Sequence, residues 1–328
     1  MSSYSALDMK KICTPISEPS LRKKSVAKFS YPIDVADMAE LTSHNYSINS
    51  LKSMTNDWNR FVEFVSQTNQ ATLPASVNTL LLFLESQCRT RKLASIKRSL
   101  ISLATVHRLH GYAEPTNHRQ VKLFMSNVRV IKKDDARHSN AFTNKHYLAL
   151  NELFSNGYES KDARDMALYG IALECALKRN EIRSLNYDDL TINDSVIAIQ
   201  LNSECYNLSD LSIEWLNRWL SERTHVEGPL FCRVDRHQNI LLAPLNDSSI
   251  YRIFRNASDL LNLGYNMRFG GQSSRAGAAM ELAKQGLKLK EIQEFGRWNS
   301  PVMPAQYLKR AGIAEAEQLK FIKIRPWD

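Results

Sequence analysis

Apolar residues recur with a helical period through the first third of the chain. The clearest case has apolar side chains at Trp58, Phe61, Val62 and Val65. This i, i+3, i+4, i+7 spacing is that of one buried helix face, so it predicts a core helix. A second apolar stretch, Val77–Leu84, follows Ser76, a residue type that caps helix starts. The pattern therefore predicts a helical N-terminal region.

The rest of the chain mixes helical and strand patterns. An apolar helical stripe runs through Ala167, Leu168, Ile171, Ala172 and Cys175. Val196–Leu201 is a short apolar run typical of a strand, and Asn202–Asn207 would continue it as the second half of a hairpin. Ile250–Leu261 returns to a helical pattern. The sequence thus predicts a mainly α fold, with a helical N-terminal domain and an α+β second domain that contains a small antiparallel sheet.

Length and local composition divide the chain. A chain of 328 residues is long enough for two domains, each with its own core. Residues 129–139 are polar and charged with little apolar period, which is typical of a linker. We expect a basic, flexible arm over residues 1–30, a helical domain over 31–130, a linker over 131–142 and a second domain over 143–328 that ends in a tail helix.

The net charge of +9 is confined to one part of the chain. Residues 1–140 hold 20 Lys and Arg against 11 Asp and Glu, whereas residues 141–328 hold 23 of each. A basic region joined to a neutral one favours a polyanionic partner, whose binding weakens steeply as salt rises. Five of the positive side chains fall within ten residues, at Arg89, Arg91, Lys92, Lys97 and Arg98. By itself such a run fits a solvated helix face as well as a contact with a nucleic-acid backbone.

Other compositional features narrow the class of protein. The five cysteines are scattered without paired spacing, which indicates reduced thiols and suggests no metal site. No run of eighteen apolar residues is present, and the first residues lack a signal-peptide pattern. We therefore expect a cytoplasmic protein with no membrane span, no metal and no cofactor.

The most informative segment lies near the C-terminus. Gln272 and Arg275 are three residues apart and precede several small residues, so on a helix they would share a face and that helix would pack closely. A guanidinium matches two phosphate oxygens and stabilises charge that develops on phosphorus. Gly296–Trp298 then supplies an indole donor, and Tyr307 supplies a phenol that can act as a nucleophile. Each residue alone is more often a surface or core residue, whereas the combination suits attack on a phosphodiester.

This segment resembles the C-terminal signature of the tyrosine recombinases, the phage integrase family, and especially its Cre-like phage and plasmid enzymes. That family has a His-x-x-Arg helix start, then Gly-x-Trp or Gly-His, and a nucleophilic tyrosine nine residues after the Trp. The matching positions here are Gln272, Arg275, Trp298 and Tyr307. Ala176–Leu185 resembles the family's Leu-Arg-x-x-Glu-Leu helix, so the resemblance covers roughly residues 140–328.

Three positions depart from the family pattern. The first arginine of the family falls on Lys178, which keeps the charge and loses the bidentate fork. The adjacent Arg179 is turned by about 100° around the helix and cannot simply replace it. The family histidine falls on Gln272, which cannot move a proton near neutral pH. No lysine occurs between Lys178 and Lys284, so the family's hairpin lysine has no counterpart and the general acid is unassigned.

The resemblance implies a site-specific DNA recombinase that cleaves and rejoins strands through a 3′-phosphotyrosyl intermediate. The implied site comprises Tyr307 as nucleophile, Arg275, Lys178 and Trp298 on the phosphate, Glu181 orienting the cations, and Gln272 as a neutral hydrogen-bond donor. The implied partners are double-stranded DNA and further copies of the chain, in a tetramer on two DNA sites. The implied setting is a bacterial cell, phage or plasmid, with the protein at the nucleoid. The alternative is a protein of the same fold whose weakened site binds or bends DNA without cutting it.

The resemblance also implies a role for the basic residues of the first part of the chain. In the family, an N-terminal helical domain clamps one side of the duplex. We therefore expect DNA contacts, mainly with the backbone, from Arg89, Arg91, Lys92, Lys97, Arg98, Lys132 and Lys133.

Overall fold

The computed structural model describes residues 13–68, 70–133, 135, 139–193 and 196–308. The chain forms two compact units, Met1–Arg137 and His138–Asp328. The described elements are mostly helices, with small antiparallel sheets in the second unit, which confirms the predicted fold class. Among these residues no helix has the length and apolar character needed to span a bilayer.

The first unit is helical throughout its described residues. Its α-helices are α1 (Pro19–Phe29), α2 (Val35–Leu41), α3 (Ile48–Ser66), α4 (Val77–Thr90), α5 (Leu93–Leu109) and α6 (Arg119–Ile131).

Helix α3 forms the centre of the core of the first unit, as its apolar spacing predicts. Trp58, Phe61 and Val65 are buried, and the Trp58 indole donates a hydrogen bond to the Phe29 carbonyl oxygen at 3.1 Å. This bond satisfies the polar atom of a fully enclosed side chain and ties α3 to the end of α1. The predicted cap of α4 is also present, because the Thr79 amide donates to the Ser76 hydroxyl at 3.0 Å.

Two predicted boundaries in the first unit are wrong. The basic arm expected over residues 1–30 is helical over α1, where the Arg22 guanidinium lies 4.4 Å from the centre of the Tyr112 ring and donates to the Gly111 carbonyl oxygen. Helix α6 continues to Ile131, into the segment expected to be a linker. Tertiary contacts of this kind leave no periodic signal in the sequence, so charge alone suggested flexibility. Residues 1–12, 134 and 136–138 lie outside the described residues.

The second unit combines helices with short strands. Its elements are α7 (Asn144–Leu153), α8 (Ser160–Glu174), α9 (Arg179–Ser184), β1 (Leu190–Asn193), β2 (Val196–Leu201), β3 (Glu204–Asn207), α10 (Asp210–Arg223), β4 (Cys232–Val234), β5 (Ile240–Pro244), α11 (Asp247–Leu260), α12 (Ser273–Lys284), α13 (Leu289–Phe295) and α14 (Val302–Tyr307).

Helix α8 is enclosed by its neighbours. All its residues from Ala163 to Leu173 are buried, whereas the sequence predicted a single apolar stripe. Gly170 permits the close approach of α7 and α10, because a Cβ at this position would lie 2.3 Å from the Ser212 hydroxyl oxygen and 2.6 Å from the Tyr147 hydroxyl oxygen. The end of α8 therefore has a fixed position, and it supplies two backbone carbonyls to the site described below.

The predicted hairpin is present in a three-stranded antiparallel sheet with the order β1, β2, β3. Leu201 is opposite Glu204, so a two-residue turn joins β2 to β3. Asn202 in this turn has φ of 55°, the left-handed conformation that such turns need. A second sheet, β4 with β5, was not predicted, because its strands are only three and five residues long.

Helix α12 ends at a glycine. Gly286 follows its last turn with φ of +92°, a conformation that glycine adopts without steric cost. The predicted tail helix falls within residues 309–328, which lie outside the described residues.

Candidate active site

The first turn of α12 positions Arg275. Small residues follow it, and Gly277 lies so close to a neighbouring segment that a Cβ there would be 1.6 Å from the Phe142 carbonyl oxygen. The Phe142 amide in turn donates to the Ser273 carbonyl oxygen at 2.9 Å. The small residues after Arg275 therefore bury the start of α12, and they fix its arginine inside the second unit.

The Arg275 guanidinium is buried and only partly bonded to protein. It donates to the Ala176 carbonyl oxygen and, at 2.8 Å, to the Gly296 carbonyl oxygen. Its central carbon lies 4.2 Å from the centre of the Trp298 ring, a cation–π contact. Since a guanidinium has five N–H groups, three of them have no acceptor among the described residues. These three donors are available to an oxyanion.

Burial lowers the pKa of Arg275 to about 10, against an opposing effect of Glu181. Removing a guanidinium from water disfavours its charged form. The side chain is still protonated at neutral pH, so it presents a full positive charge in a region that excludes water. A charge in such a place acts strongly on a phosphate.

Tyr307 is the last residue of α14 and lies against the same indole. Its ring centre is 6.3 Å from that of Trp298, and the side chain packs with Ala276, Ala279 and Ile292 in a small apolar cluster. Burial raises the pKa of the phenol, while the positive charge of Arg275 acts in the opposite direction. The structure thus places Tyr307, Trp298 and Arg275 in one site, as their sequence spacing predicts.

The Gly296–Trp298 segment sets the position of the indole. A Cβ at Gly296 would lie 1.8 Å from the Trp298 ring, so no larger residue fits there without displacing the ring. The Trp298 amide donates to the Gln293 carbonyl oxygen at 3.0 Å, which folds the segment back on α13. Arg297, between the two, has φ of 54°, which is uncommon for a residue with a side chain.

Lys178 and Glu181 meet at the start of α9. Lys178 precedes the first turn, and its amide donates to Glu181 Oε2 at 2.8 Å. Its ammonium lies 3.2 Å from Glu181 Oε1, and 39% of its side chain is exposed. The ammonium therefore has one carboxylate partner and an open side that faces solvent. The expected contact between Glu181 and this cation is present.

Arg297 is the residue that sequence reasoning missed. Its guanidinium bonds Glu181, with 2.9 Å between Nη2 and Oε2 and 3.4 Å between Nε and Oε1. It also donates to the carbonyl oxygens of Cys175 at 3.0 Å and Phe295 at 3.2 Å, and to the Tyr206 hydroxyl. The only available signal was its place inside the Gly-x-Trp motif, where the family pattern leaves the middle residue unspecified.

These contacts shift the pKa values of both partners in the pair. Burial alone would raise the pKa of Glu181, but hydrogen bonds from Arg297 and from the Lys178 amide hold it below its ordinary value. Burial alone would lower the pKa of Arg297, and the hydrogen bond and charge of Glu181 raise it. Both groups are therefore ionised across the neutral range.

The hairpin contributes Tyr206 to this cluster and contains no lysine. Tyr206 on β3 donates its hydroxyl hydrogen to the Phe295 carbonyl oxygen at 2.8 Å and accepts from Arg297. Its proton is engaged with a backbone carbonyl, so the hydroxyl is not placed to act as a proton donor. No described side chain of the hairpin takes the role of the missing lysine.

The last predicted site residue, Gln272, and the arginine next to Lys178 have different surroundings. Gln272 precedes α12 and is exposed, with no side-chain hydrogen bond at the helix start. Arg179 lies along Gly271, where a Cβ would be 2.7 Å from its Cδ. It is not among the described partners of Glu181, which agrees with the different direction that the helical rotation predicts.

The predicted DNA-contacting residues of the first unit differ in exposure and in their ion pairs. Arg89, Lys92, Lys97 and Lys133 are exposed. Arg98 is held by two hydrogen bonds to Asp57, from Nε at 2.8 Å and from Nη2 at 3.0 Å, while 46% of its side chain remains exposed. Arg91 lies 3.7 Å from the same carboxylate, and Lys132 lies 3.8 Å from Asp135. Two members of the basic run are therefore partly neutralised inside the protein.

Among the described residues, no three His, Cys, Asp or Glu side chains are grouped as a metal ion would need. The five cysteines are all free.

Comparisons with known proteins agree with this geometry. The phage integrase family model matches residues 140–312. Recombinase cre of Escherichia phage P1 is 24% identical over 301 residues, which cover 83% of this chain and 86% of that protein. The integrase/recombinase xerD homolog of Selenomonas ruminantium is 24% identical over 283 residues, covering 81% and 82%.

A solved structure shows the same fold. The XerH site-specific recombinase, bound to a palindromic difH substrate in a post-cleavage complex, aligns with a TM-score of 0.61 at 16% identity. The alignment covers 93% of this chain and 90% of that one.

Proposed function

The chain belongs to the phage integrase family of tyrosine recombinases, and from that membership and the site geometry we propose how it acts as a site-specific DNA recombinase. The proposal rests on one observation: Arg275 and Tyr307 both contact the indole of Trp298. A buried cation with unused donors lies beside a phenol, which is the arrangement that attack on a phosphodiester needs.

In the proposed cleavage step, the Tyr307 oxygen attacks the phosphorus of the scissile phosphate. The bond from phosphorus to the 5′ oxygen breaks, the phenol loses its proton, and the leaving 5′ oxygen gains one. The unused N–H groups of Arg275 and the exposed ammonium of Lys178 would bind the non-bridging oxygens, where negative charge increases. The 3′-phosphotyrosyl bond retains the energy of the original linkage, so rejoining needs no nucleotide cofactor.

The first unit would hold the duplex. Its part of the sequence carries the whole net charge of +9, and Arg89, Lys92, Lys97 and Lys133 are exposed. Counterion release from the DNA backbone would supply much of the affinity. Arg98 would contribute less than the sequence suggests, because Asp57 already binds one edge of its guanidinium.

Assembly and setting follow from the family. We propose that four copies act together on two DNA sites, that the recombinase belongs to a mobile element, and that it works in the cytoplasm at the nucleoid. The solved relative is described as bound to a palindromic substrate, which is consistent with action by more than one copy.

The alternative, a protein that binds DNA without cutting it, is not favoured. The similar proteins are recombinases, and the site keeps its buried arginine, its indole and its phenol together. The positive charge at Lys178 is also retained and paired with Glu181.

One experiment separates the two functions. Duplexes that bind the chain would be selected from a random-sequence pool, nicked near the bound segment, incubated with protein and resolved on a denaturing gel. We expect a covalent protein–DNA band with the wild-type chain and none with Tyr307→Phe, which binds the same duplex. Tight binding without a band in the wild type would overturn the proposed cleavage.

A further inference from the structure

Arg297 binds the same glutamate as Lys178, the position at which the site lacks the first arginine of the family. The family arginine at position 178 is a lysine here, so one bidentate fork is missing from the start of α9. The guanidinium of Arg297 reaches the same carboxylate from another element, the turn after α13. Glu181 thus binds two cations, Lys178 at 3.2 Å and Arg297 at 2.9 Å.

The donors of Arg297 are all used within the protein. Its five N–H groups meet the two oxygens of Glu181, the Tyr206 hydroxyl and the carbonyl oxygens of Phe295 and Cys175. Only 12% of the side chain is exposed. A guanidinium in this state has no donor left for a phosphate, so it cannot act as a direct ligand of the substrate.

The backbone conformation of Arg297 is uncommon for a residue with a side chain. Arg297 has φ of 54°, in the left-handed region where glycine is the favoured residue. Non-glycine residues persist in such conformations where surrounding contacts determine them, and these positions concentrate at functional sites. Here the contacts are those of the guanidinium itself, which joins α8, α9, β3 and the end of α13.

The guanidinium groups of Arg275 and Arg297 also lie close to each other. Both donate to the Ala176 carbonyl oxygen, with a length of 3.4 Å for Arg297. Two guanidinium groups this close repel each other, and Glu181 supplies the negative charge that offsets the repulsion. Without Arg297, the Glu181 carboxylate would be free to draw the Lys178 ammonium away from solvent. It would also be free to weaken the action of the Arg275 charge on a phosphate.

We propose that Arg297 is a positioning residue that shares the binding of Glu181 with Lys178, and so leaves the Lys178 ammonium with one carboxylate contact and an exposed side for the scissile phosphate. This proposal rests on the proposed recombinase function. Arg297 holds Glu181, and Lys178 supplies the exposed charge.

The test compares single-turnover cleavage by the full chain and its variants on a nicked duplex selected by the wild type. Arg297→Gly removes the guanidinium and at the same time relieves the left-handed backbone. We expect its rate of adduct formation at saturating protein to fall about 10- to 100-fold, less than the roughly 10²- to 10³-fold typical of a lost direct donor. Duplex affinity should change by less than about twofold, because Arg297 faces protein and not DNA.

Two further variants separate positioning from folding. Adding Lys178→Arg to Arg297→Gly should recover at least about tenfold in rate, because the new fork can bind Glu181 and a phosphate oxygen together. Arg297→Lys keeps the charge and the backbone, and it should be slowed about tenfold because it loses the fork. The matched control is Asn262→Gly, an exposed left-handed position, whose rate should equal that of the wild type.

The outcomes are distinguishable. No adduct with the wild type would overturn the recombinase function and this inference with it. A wild-type adduct with an equally fast Arg297→Gly would overturn the inference alone. A slow Arg297→Gly that Lys178→Arg does not rescue would assign Arg297 to folding and reject the positioning role. If Arg297→Gly does not fold, a wild-type rate for Arg297→Lys would reject it as well.

Discussion

Each unit contains a carboxylate with two cationic partners, and the two clusters differ in what they leave exposed. Asp57 is fully enclosed and accepts from Arg98, Ser99 and Ser102. Glu181 is 15% exposed, and Lys178 beside it is 39% exposed. The Asp57 cluster therefore joins α3 to α5, whereas the Glu181 cluster supports a cation that a ligand can reach. The two carboxylates have the same number of cationic partners, so their different burial, and not that number, distinguishes the two clusters.

The largest expected effect is at Glu181. Glu181→Ala leaves the Arg297 guanidinium without its charged partner, and breaking a buried pair in this way costs about 3–5 kcal/mol; partial exposure places this case near about 3 kcal/mol. Cleavage should fall about 100-fold or more, because both cations lose their orientation. Urea unfolding and adduct formation measure the two effects. An unchanged cleavage rate would show that the cluster is structural, like that of Asp57.

Asp57→Ala should lower stability with no effect on chemistry. The buried Ser99 hydroxyl loses its acceptor, the Ser102 hydroxyl keeps only the Arg98 carbonyl oxygen, and the half-exposed Arg98 returns to water. We expect the free energy of unfolding of the first unit to fall by about 1–3 kcal/mol. The control is Glu114→Ala in the exposed pair with Arg108, which should cost about 0–1 kcal/mol. A slower cleavage step for bound Asp57→Ala would remove the distinction between the clusters.

The third prediction concerns the exposed basic side chains of the first unit and how far each can bind DNA. Lys92→Ala should lower the slope of log affinity against log salt by about 0.9, the value for one lost phosphate contact. Arg98→Ala should change the slope by less, since Asp57 neutralises one edge of its guanidinium. Fluorescence anisotropy with a short duplex of arbitrary sequence measures both slopes. Equal changes would mean that Asp57 leaves the charge of Arg98 fully available to DNA.

The smallest effect is the pH dependence of stability at Glu181. Its pKa is lower in the folded state than in the unfolded chain, so the stability that its charge contributes is fully present above its ordinary pKa of about 4.3. That contribution is lost as pH falls through the lowered folded value. Unfolding of the wild type and of Glu181→Gln between pH 7 and pH 3 should therefore show a difference of about 1 kcal/mol that narrows only in acid. A constant difference would contradict the lowered pKa.

Local pattern predicted the elements that contain their own signal. The spacing around Trp58 predicted α3, and the apolar run after Ser76 predicted α4. The strands β4 and β5 were missed, because they are short and pair only through tertiary structure. Helix α1 was also missed, because its contacts are tertiary and the charge of the segment suggested a flexible arm.

The site was predictable only where the chemistry lay in the motif itself. Arg275, Trp298 and Tyr307 could be found from residue type and spacing, because those residue types together suit attack on a phosphodiester. Arg297 could not, since its partners Glu181 and Tyr206 are 116 and 91 residues away in the sequence. A residue whose role is to hold another residue leaves a signal in three dimensions and none in local sequence.

The proposed cleavage depends on a bond between the phenol oxygen of Tyr307 and the scissile phosphate, and mapping the covalent adduct identifies that bond. Trypsin would release the peptide from Trp298 to Lys309, in which Tyr307 is the only tyrosine. We expect a nucleotide mass on Tyr307 by fragmentation mass spectrometry, together with a free 5′-hydroxyl on the released strand. A nucleotide on any other residue, or a 5′-phosphate on that strand, would contradict it.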